Sequence, residues 1–168
     1  MEAKRVLIVD DSSTIRQLIR NRLAGDRRLV VVGEASDPYE AREQIKLLCP
    51  DVLTLDVEMP RMNGLDFLEK LMRLRPLPVV MISTETQRGS TAALEALSLG
   101  AVECVGKPNA DRLPETFLNL ADLLVAAADA NIRDPRSRVA SKPATGFRWN
   151  GRYVLIGSST GGVDALET

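Results

Sequence analysis

The sequence predicts an α/β fold with a doubly wound, five-stranded parallel sheet and helices on both faces of that sheet. Over residues 1–128, short apolar runs alternate five times with amphipathic stretches. The apolar runs are nearly continuous, which is typical of parallel strands buried on both faces. The stretches between them are long enough for crossover helices, and right-handed crossovers distribute such helices over both faces.

The predicted strands are short runs rich in Val, Ile and Leu. They cover residues 5–10, 29–35, 51–56, 78–83 and 101–106. Asp51 and Pro78 sit at the starts of the third and fourth runs, where a chain leaves a loop.

A stretch with helical spacing of apolar residues follows each strand. The first helix is expected to use Ser13 as its N-cap, and the second to use Asp37, with Pro38 in its first turn. Gly100 is a candidate C′ residue for the fourth helix, and the fifth lies within residues 111–128. The apolar residues that mark the first four helices are Ile15, Leu18, Ile19 and Leu23; Ala41, Ile45 and Leu48; Leu65, Leu68, Leu71 and Met72; and Ala93, Leu94 and Leu97.

The pattern changes after residue 128, which divides the chain into three parts. Residues 1–128 make one domain of ordinary size. Residues 129–151 carry scattered Arg, Pro, Ser and Gly without an apolar period, which predicts a linker. Residues 152–168 contain a strand, a Gly-rich turn and a helix start, too little for a core. We interpret them as the truncated start of a second α/β domain.

The composition is that of a soluble globular protein. Of 168 residues, 45% are hydrophobic and 27% are charged, and the formal net charge of −1 argues against a general nucleic-acid binder. No apolar run reaches the roughly 18 residues of a membrane helix, so we expect a cytoplasmic protein without direct membrane insertion. Cys49 and Cys104 are expected to be buried thiols. The chain has no histidine, so no mechanism that needs an imidazole base can be completed within it.

Polar side chains follow four of the predicted strands, at the sheet edge where ligands of such folds bind. They are Asp10 and Asp11, Asp56, Ser83 and Thr84, and Lys107. Three clustered carboxylates repel one another unless a cation compensates, and oxygen ligands suit Mg²⁺. An aspartate can then act as a nucleophile that forms an acyl phosphate, while the metal and Lys107 neutralise the phosphoryl oxygens.

Each of these residues alone is more simply explained as a turn, cap or loop residue. The coincidence of suitable groups at four strand ends favours phosphoryl transfer instead. A rival is an aspartate-nucleophile phosphatase with a DxD-like motif. Such enzymes carry a second Asp two residues after the nucleophile, where this chain has Glu58.

The ordered motifs VLIVDDS, DVLTLDVEMPRMNGLDFLEKL, PVVMIS and GAVECVGKP resemble a response-regulator receiver domain, with its flavodoxin-like fold, over about residues 4–128. The resemblance implies that a histidine kinase phosphorylates Asp56. The implied Mg²⁺ ligands are Asp10, Asp11, Asp56 and the backbone carbonyl of Glu58. The implied switch residues, which grip the phosphoryl group, are Ser83, Thr84 and Lys107. Many receivers carry an aromatic switch residue in the fifth strand, where this chain has Cys104.

The turn GSSTGG, residues 157–162, connects an apolar strand to a helix start. It can cradle a phosphate at a helix N-terminus, although the P-loop signature is missing, or expose a serine as nucleophile elbows do. A purely structural turn is equally compatible with its composition.

A receiver, a linker and IGSSTGG together resemble the CheB family of chemotaxis methylesterases. The resemblance implies hydrolysis of glutamate methyl esters, and deamidation of glutamines, on methylated chemoreceptors. It makes Ser159 the nucleophile and Thr160 part of the oxyanion site. The His and Asp of the family's triad would lie beyond Thr168, so we expect this fragment to lack esterase activity. The alternative hypothesis is a non-enzymatic receiver that acts through partner or DNA binding.

Overall fold

Five parallel strands form one sheet in the order β2-β1-β3-β4-β5 in the structure, a computed structural model that describes residues 2–84, 90–107, 117–130 and 132. The strands are β1 (Lys4–Val9), β2 (Leu29–Ala35), β3 (Val52–Asp56), β4 (Val79–Ser83) and β5 (Glu103–Gly106). The prediction of a doubly wound parallel sheet is therefore confirmed, and observed strand bounds lie within two residues of those expected.

Five helices cover the two faces of this sheet. They are α1 (Ser13–Leu23), α2 (Pro38–Leu48), α3 (Gly64–Leu74), α4 (Thr91–Ser98) and α5 (Leu120–Ala128). Buried residues of α2, α3 and α4 join one hydrophobic cluster, and those of α1 and α5 join the other. The described helices thus cover both faces, as right-handed crossovers require.

The centre of the sheet supplies both clusters. Val6 and Ile8 of β1 pack toward α1 and α5, whereas Leu7 and Val9 pack toward the opposite layer. All four side chains are at most 1% exposed. Full burial of such a side chain contributes about 1.5–3 kcal/mol, so this strand is a rigid support for whatever follows it.

Helix starts follow local capping chemistry, with one correction to the prediction. Asp37 caps α2 as expected, accepting from the backbone N–H groups of Tyr39 and Glu40. The N-cap of α1 is Ser12 rather than Ser13. Ser12 keeps an extended backbone while its hydroxyl accepts from the N–H of Ile15 at 3.4 Å, so the helix begins at Ser13, one residue earlier than predicted.

Two further sequence predictions concern helix α4, namely the residue that ends it and the residues on its inner face. Gly100 has a φ of 107°, as expected of a C′ glycine after α4. In α4, Ala93 is buried but Leu94 and Leu97 are 47% and 43% exposed. The apolar period marked the helix correctly, yet only its small residues pack on the sheet.

Several predictions lie outside the described residues. They include most of the linker at 129–151 and the whole of 152–168, with Ser159 and Thr160. Cys104 is buried as predicted, but Cys49 is exposed, because it is the left-handed C-cap of α2 with a φ of 42°. None of the helices in the described ranges is long and apolar enough to cross a membrane.

Candidate functional site

Two buried aspartates lie side by side where β1 and β3 end. β1 and β3 are hydrogen-bonded neighbours, so Asp10, which follows β1, and Asp56, the last residue of β3, reach the same edge of the sheet. Each is only 1% exposed. Asp11 is exposed, and one oxygen from each of the three carboxylates lies within 4.8 Å of the others. The sheet therefore gathers three of the predicted acidic residues in one cleft.

Lys107 closes this cleft from the end of β5. Its Nζ lies 2.8 Å from Oδ2 of Asp56 and 3.0 Å from Oδ2 of Asp10. Its backbone N–H donates to the carbonyl of Ser83, which fixes the start of its loop beside β4. A single ammonium thus bridges the two buried carboxylates.

The remaining oxygens of the buried pair are held by the backbone. Oδ1 of Asp10 accepts from the N–H of Ser12 at 2.8 Å, and Oδ1 of Asp56 accepts from the N–H of Glu58 at 3.3 Å. Each carboxylate therefore has one oxygen fixed by its own loop and one facing Lys107. This arrangement orients both groups before any ligand arrives.

Burial and the neighbouring Lys107 shift the pKa values of the two buried aspartates in opposite directions. Burial raises the pKa of Asp56 to about 6, Lys107 partly offsets this, and the charge of Asp10 adds to it. Burial likewise raises the pKa of Asp10. Burial lowers the pKa of Lys107, but its bonds to Asp56 and Asp10 outweigh that effect and raise it above 10.5. Near neutral pH the lysine is charged, and Asp56 is largely ionised.

The donor set fits a hard divalent cation. All three acidic side chains offer oxygen, the ligand type that Mg²⁺ prefers. Three carboxylates lie near one ammonium, so negative charge remains to be compensated. The residues present are therefore suited to the predicted Mg²⁺.

Arg16 supports the loop that carries the acid pair, and sequence reasoning missed it. Its guanidinium donates to the carbonyl of Asp10 at 2.7 Å and of Asp11 at 3.2 Å, and its Nε pairs with Glu34 of β2 at 3.1 Å. One signal was available in the sequence. A cation in the first turn of a helix opposes the helix dipole, so Arg16 stands where another interaction has to stabilise it.

Gly64 allows α3 to begin directly against the end of β3. A Cβ at this position would lie 1.9 Å from the carbonyl oxygen of Asp56, closer than any real contact. The N–H of Gly64 donates to the carbonyl of Val57 at 2.8 Å, and Asn63 caps the helix by accepting from the N–H of Leu65. The loop that carries Glu58 is therefore short and tightly closed at both ends.

Side chains of the loop after β3 also contact the residue after β4 and the N-cap of α2. The hydroxyl of Thr84 donates to Oε2 of Glu58 at 3.3 Å, which links it to the end of β4. Arg61, with a left-handed φ of 72°, pairs with Asp37 at 3.0 Å. The side chain of Glu58, whose backbone carbonyl is a predicted metal ligand, thus contacts Thr84, a predicted switch residue.

Two predicted switch positions lie in the strands beside the cleft. Ser83, the last residue of β4, is 0% exposed and pairs in register with Gly106 of β5. Cys104 lies inside β5 and is 7% exposed, and its thiol contacts the carbonyl of Ala93 in α4 at 3.6 Å. The thiol is smaller than the aromatic side chain found there in many receivers.

A doubly wound five-stranded sheet with an acid pair after β1, an aspartate ending β3 and a lysine after β5 is the arrangement of a phosphoacceptor domain. The response regulator receiver domain family matches residues 6–117, and the chain belongs to this family.

Within the family the chain is similar to particular full-length proteins. It is 54% identical over 165 residues to protein-glutamate methylesterase/protein-glutamine glutaminase 1 of Rhizobium johnstonii, covering 96% of this chain and 47% of that protein. It is 53% identical over 166 residues to the protein of the same name in Caulobacter vibrioides, covering 96% of this chain and 48% of that protein. The chain thus spans about half the length of these relatives.

The fold of the described residues is also similar to solved structures of chemotaxis proteins. The response regulator domain of Thermotoga maritima CheB superposes with a TM-score of 0.72 and 34% identity, covering 77% of this chain and 98% of that one. The Vibrio cholerae chemotaxis protein CheY4 superposes with a TM-score of 0.59 and 32% identity, covering 73% and 98%. Both support the receiver fold of the described residues.

Proposed function

We propose that Asp56 accepts a phosphoryl group from the phosphohistidine of a histidine kinase. The observation that carries this proposal is the pair of short contacts from Lys107 to the buried Asp56 and Asp10. An oxygen of Asp56 forms a bond to phosphorus as the phosphorus–nitrogen bond of the donor breaks, and the leaving imidazole keeps the electron pair. The product is an acyl phosphate.

Each neighbouring residue has a defined task in this reaction. The Glu58 N–H orients the Asp56 carboxylate through Oδ1. Lys107 balances the negative charge that reaches the cleft, and the raised pKa keeps its amine protonated. Ser83, at the end of β4, is the proposed hydroxyl partner of the phosphoryl group. Thr84 acts beside it by holding the Glu58 side chain.

Mg²⁺ is the proposed cofactor, bound by Asp10, Asp11, Asp56 and the backbone carbonyl of Glu58. When bound, it would neutralise charge on the phosphoryl oxygens. The proximity of three carboxylate oxygens within 4.8 Å supports the three side-chain ligands.

We further propose that the intact protein is a phosphorylation-activated methylesterase of the cytoplasm. It would hydrolyse glutamate methyl esters and deamidate glutamines, the two reactions in the names of its relatives. Its proposed substrates are methylated chemoreceptors. Ser159 would be the nucleophile and Thr160 part of the oxyanion site. The chain of 168 residues contains no histidine, so a Ser-His-Asp triad is not complete within it.

Phosphorylation would act by shifting the population between two arrangements of receiver and esterase. A phosphoryl group can shift such an equilibrium only by binding one arrangement more tightly. The competing proposal, a receiver that acts through partner or DNA binding alone, predicts phosphorylation without any esterase output.

The phosphorylation site is tested by incubating the 168-residue chain with a small-molecule phosphodonor and Mg²⁺, followed by intact-mass measurement. We expect one added phosphoryl group in the wild type and none in Asp56→Asn. The matched control is Asp66→Asn, an exposed aspartate on α3, which should label normally. Normal labelling of Asp56→Asn would place the phosphoacceptor elsewhere.

The esterase proposal is tested on the intact protein by measuring methanol release from methylated receptor. Ser159→Ala should abolish release, and the adjacent Ser158→Ala should retain it. If wild-type protein is phosphorylated at Asp56 but releases no methanol, the non-enzymatic alternative is correct. If Ser159→Ala remains active, the nucleophile assignment is wrong.

A further inference from the structure

A groove between helices α2 and α3 lies apart from the acidic cleft and has a volume of about 510 Å³. Its floor is apolar, formed by Ile45, Phe67 and Leu71, which are 3%, 6% and 7% exposed. Tyr39 and Leu74 stand at its sides with 50% and 76% exposure. The groove therefore offers solvent a concave apolar surface, of a size usual for ligand sites.

The rim of this groove carries charge of a single sign. Arg42 and Lys46 project from α2, and Lys70 and Arg75 from the region of α3. Among the described residues that line the groove, none is acidic. Since the whole chain has a formal charge of −1, this basic rim is a local feature and not a reflection of composition.

Two of the four basic groups of the rim, Lys46 and Lys70, have weak or solvent-exposed partners, whereas Arg75 donates to the carbonyl of Ile45 at 3.2 Å. Lys46 pairs with Glu43 at 2.8 Å, but both side chains are more than half exposed, and such surface pairs contribute little. The amine of Lys70 contacts the sulfur of Met62 at 3.6 Å, and a thioether is a weak acceptor. An incoming carboxylate can therefore bind without first breaking a buried ion pair.

The shape of the groove suits a short stretch of polypeptide. The lining residues run from Pro38 to Lys46 on α2 and from Phe67 to Leu74 on α3. At a rise of about 1.5 Å per residue, each wall is roughly 10 Å long, or two helical turns. Apolar side chains at helical spacing would reach the floor, while carboxylates on either flank would face the two rows of bases.

Other ligand classes match these features less well. A membrane surface would meet the rim but not the recessed floor formed by Phe67 and Leu71. A small anion would need bases that converge on one point, whereas these stand on two walls along the length of the groove. The combination of a long apolar floor and flanking cations favours an amphipathic peptide with acidic edges.

We propose that the groove between α2 and α3 is a docking site for an acidic amphipathic helix of a partner protein. The apolar face of that helix covers Ile45, Phe67, Leu71 and the exposed Leu74, and its acidic flanks pair with Arg42 and Lys70. This site is separate from the proposed phosphorylation at Asp56 and does not depend on it.

The test measures binding of a synthetic helical peptide to the 168-residue chain by fluorescence anisotropy. The peptide has about three turns, with leucines at positions i, i+3, i+4 and i+7 and glutamates elsewhere. We expect a dissociation constant in the micromolar range that rises with salt, as for charge-assisted interfaces. Arg42→Glu combined with Lys70→Glu should weaken binding by about tenfold or more.

Matched control variants distinguish peptide binding in the groove from a general effect of net charge. Arg27→Glu combined with Arg73→Glu makes the same change in net charge at two exposed arginines that do not line the groove, and should leave binding unchanged. Leu74→Ser should weaken binding, whereas Leu118→Ser, at a similarly exposed leucine outside the groove, should not. Circular dichroism verifies that each variant is folded.

Three results would overturn the proposal. The first is equal binding of a scrambled peptide with the same composition. The second is equal weakening by the control pair at Arg27 and Arg73. The third is absence of peptide binding alongside capture by vesicles of anionic lipid, which would identify a membrane surface as the ligand.

Discussion

At the scale of single residues, the acidic cleft depends on charge balance. Asp10 and Asp56 are almost completely buried and share one lysine, while Asp11 adds a third carboxylate at the surface. Burial, with a smaller effect of the Asp10 charge, raises the pKa of Asp56 to about 6, and three carboxylates share a single ammonium. A cation that compensates the remaining negative charge should stabilise the folded chain.

We therefore expect Mg²⁺ to raise the melting temperature of the chain by several degrees. Ligand at ten times its dissociation constant stabilises a protein by about 1.4 kcal/mol. Asp11→Asn removes one ligand and one negative charge, so it should reduce the Mg²⁺-dependent shift while leaving the metal-free chain at least as stable. Differential scanning fluorimetry with and without Mg²⁺ measures both effects. An undiminished shift in Asp11→Asn would remove this residue from the metal site.

Arg16 is expected to position the acid pair without contacting the phosphoryl group. Arg16→Met should weaken Mg²⁺ binding by about tenfold, because partners that hold the ligands of a metal have effects of this size. Arg20→Met is the control, since Arg20 contacts the same Glu34 but neither carbonyl of the acid pair. Titration with Mg²⁺ by calorimetry distinguishes the two. Equal losses in both variants would assign the effect to Glu34 instead.

At the scale of elements, the site depends on how closely α3 approaches β3. Gly64 begins the helix within van der Waals distance of the Asp56 carbonyl, where no Cβ fits. Asn63 and the N–H of Gly64 close the loop through backbone hydrogen bonds. The start of α3 and the backbone of Asp56 are therefore in direct contact, and a change at Gly64 should affect the Asp56 carboxylate.

Gly64→Ala is expected to destabilise the chain by roughly 1–3 kcal/mol, the usual cost of overpacking, and to slow phosphorylation of Asp56. Gly25→Ala is the matched control, because a Cβ there meets nothing within 4 Å. Urea denaturation measures the free energy of unfolding, and intact-mass kinetics measure labelling. A Gly64→Ala chain with unchanged stability and rate would show that the loop can move aside at no cost.

The sequence predicted which segments are strands and helices better than it predicted which side chains are buried. Continuous apolar strands and capping residues such as Asp37 are local signals, so the sheet and the start of α2 were predicted correctly. The choice of Ser12 over Ser13 as N-cap was not, because both are serines and only the backbone decides between them. Leu94 and Leu97 proved half exposed because α4 approaches the sheet through its alanines.

At the acidic cleft, too, the positions of some residues were predictable from the sequence and the contacts of others were not. Asp10, Asp56 and Lys107 could be placed at one edge because strand ends in a parallel sheet converge there. Arg16 could not, since its role depends on a long side chain folding back onto carbonyls of the preceding loop. The environment of Glu58, which contacts Thr84 across two loops, likewise follows from tertiary structure alone.

At the scale of the whole molecule, residues 1–135 form a compact unit with its own two hydrophobic clusters. Asp56 and all the residues proposed to take part in its phosphorylation lie within this unit. Its core includes fully buried side chains from the sheet and from helices on both faces, such as Leu53, Leu68 and Leu124. We infer that it needs no further residues to fold.

A chain that ends at residue 135 should therefore unfold in one cooperative transition and accept phosphate at Asp56 at a rate within about twofold of the 168-residue chain. Independent folding is usual for a unit with its own core. Thermal unfolding followed by circular dichroism, together with the labelling assay, tests this expectation. A molten or unlabelled product would mean that residues beyond 135 complete the domain.

Met62 belongs both to the loop that leaves the phosphoacceptor and to the lining of the groove between α2 and α3. Any coupling between the two sites is reciprocal. If phosphorylation of Asp56 repositions that thioether, a peptide that rests on it gains or loses affinity, and the peptide must alter the phosphorylation equilibrium by the same factor. One small domain would in this way respond both to phosphorylation and to a docked partner helix without any contact between the phosphoryl group and that helix.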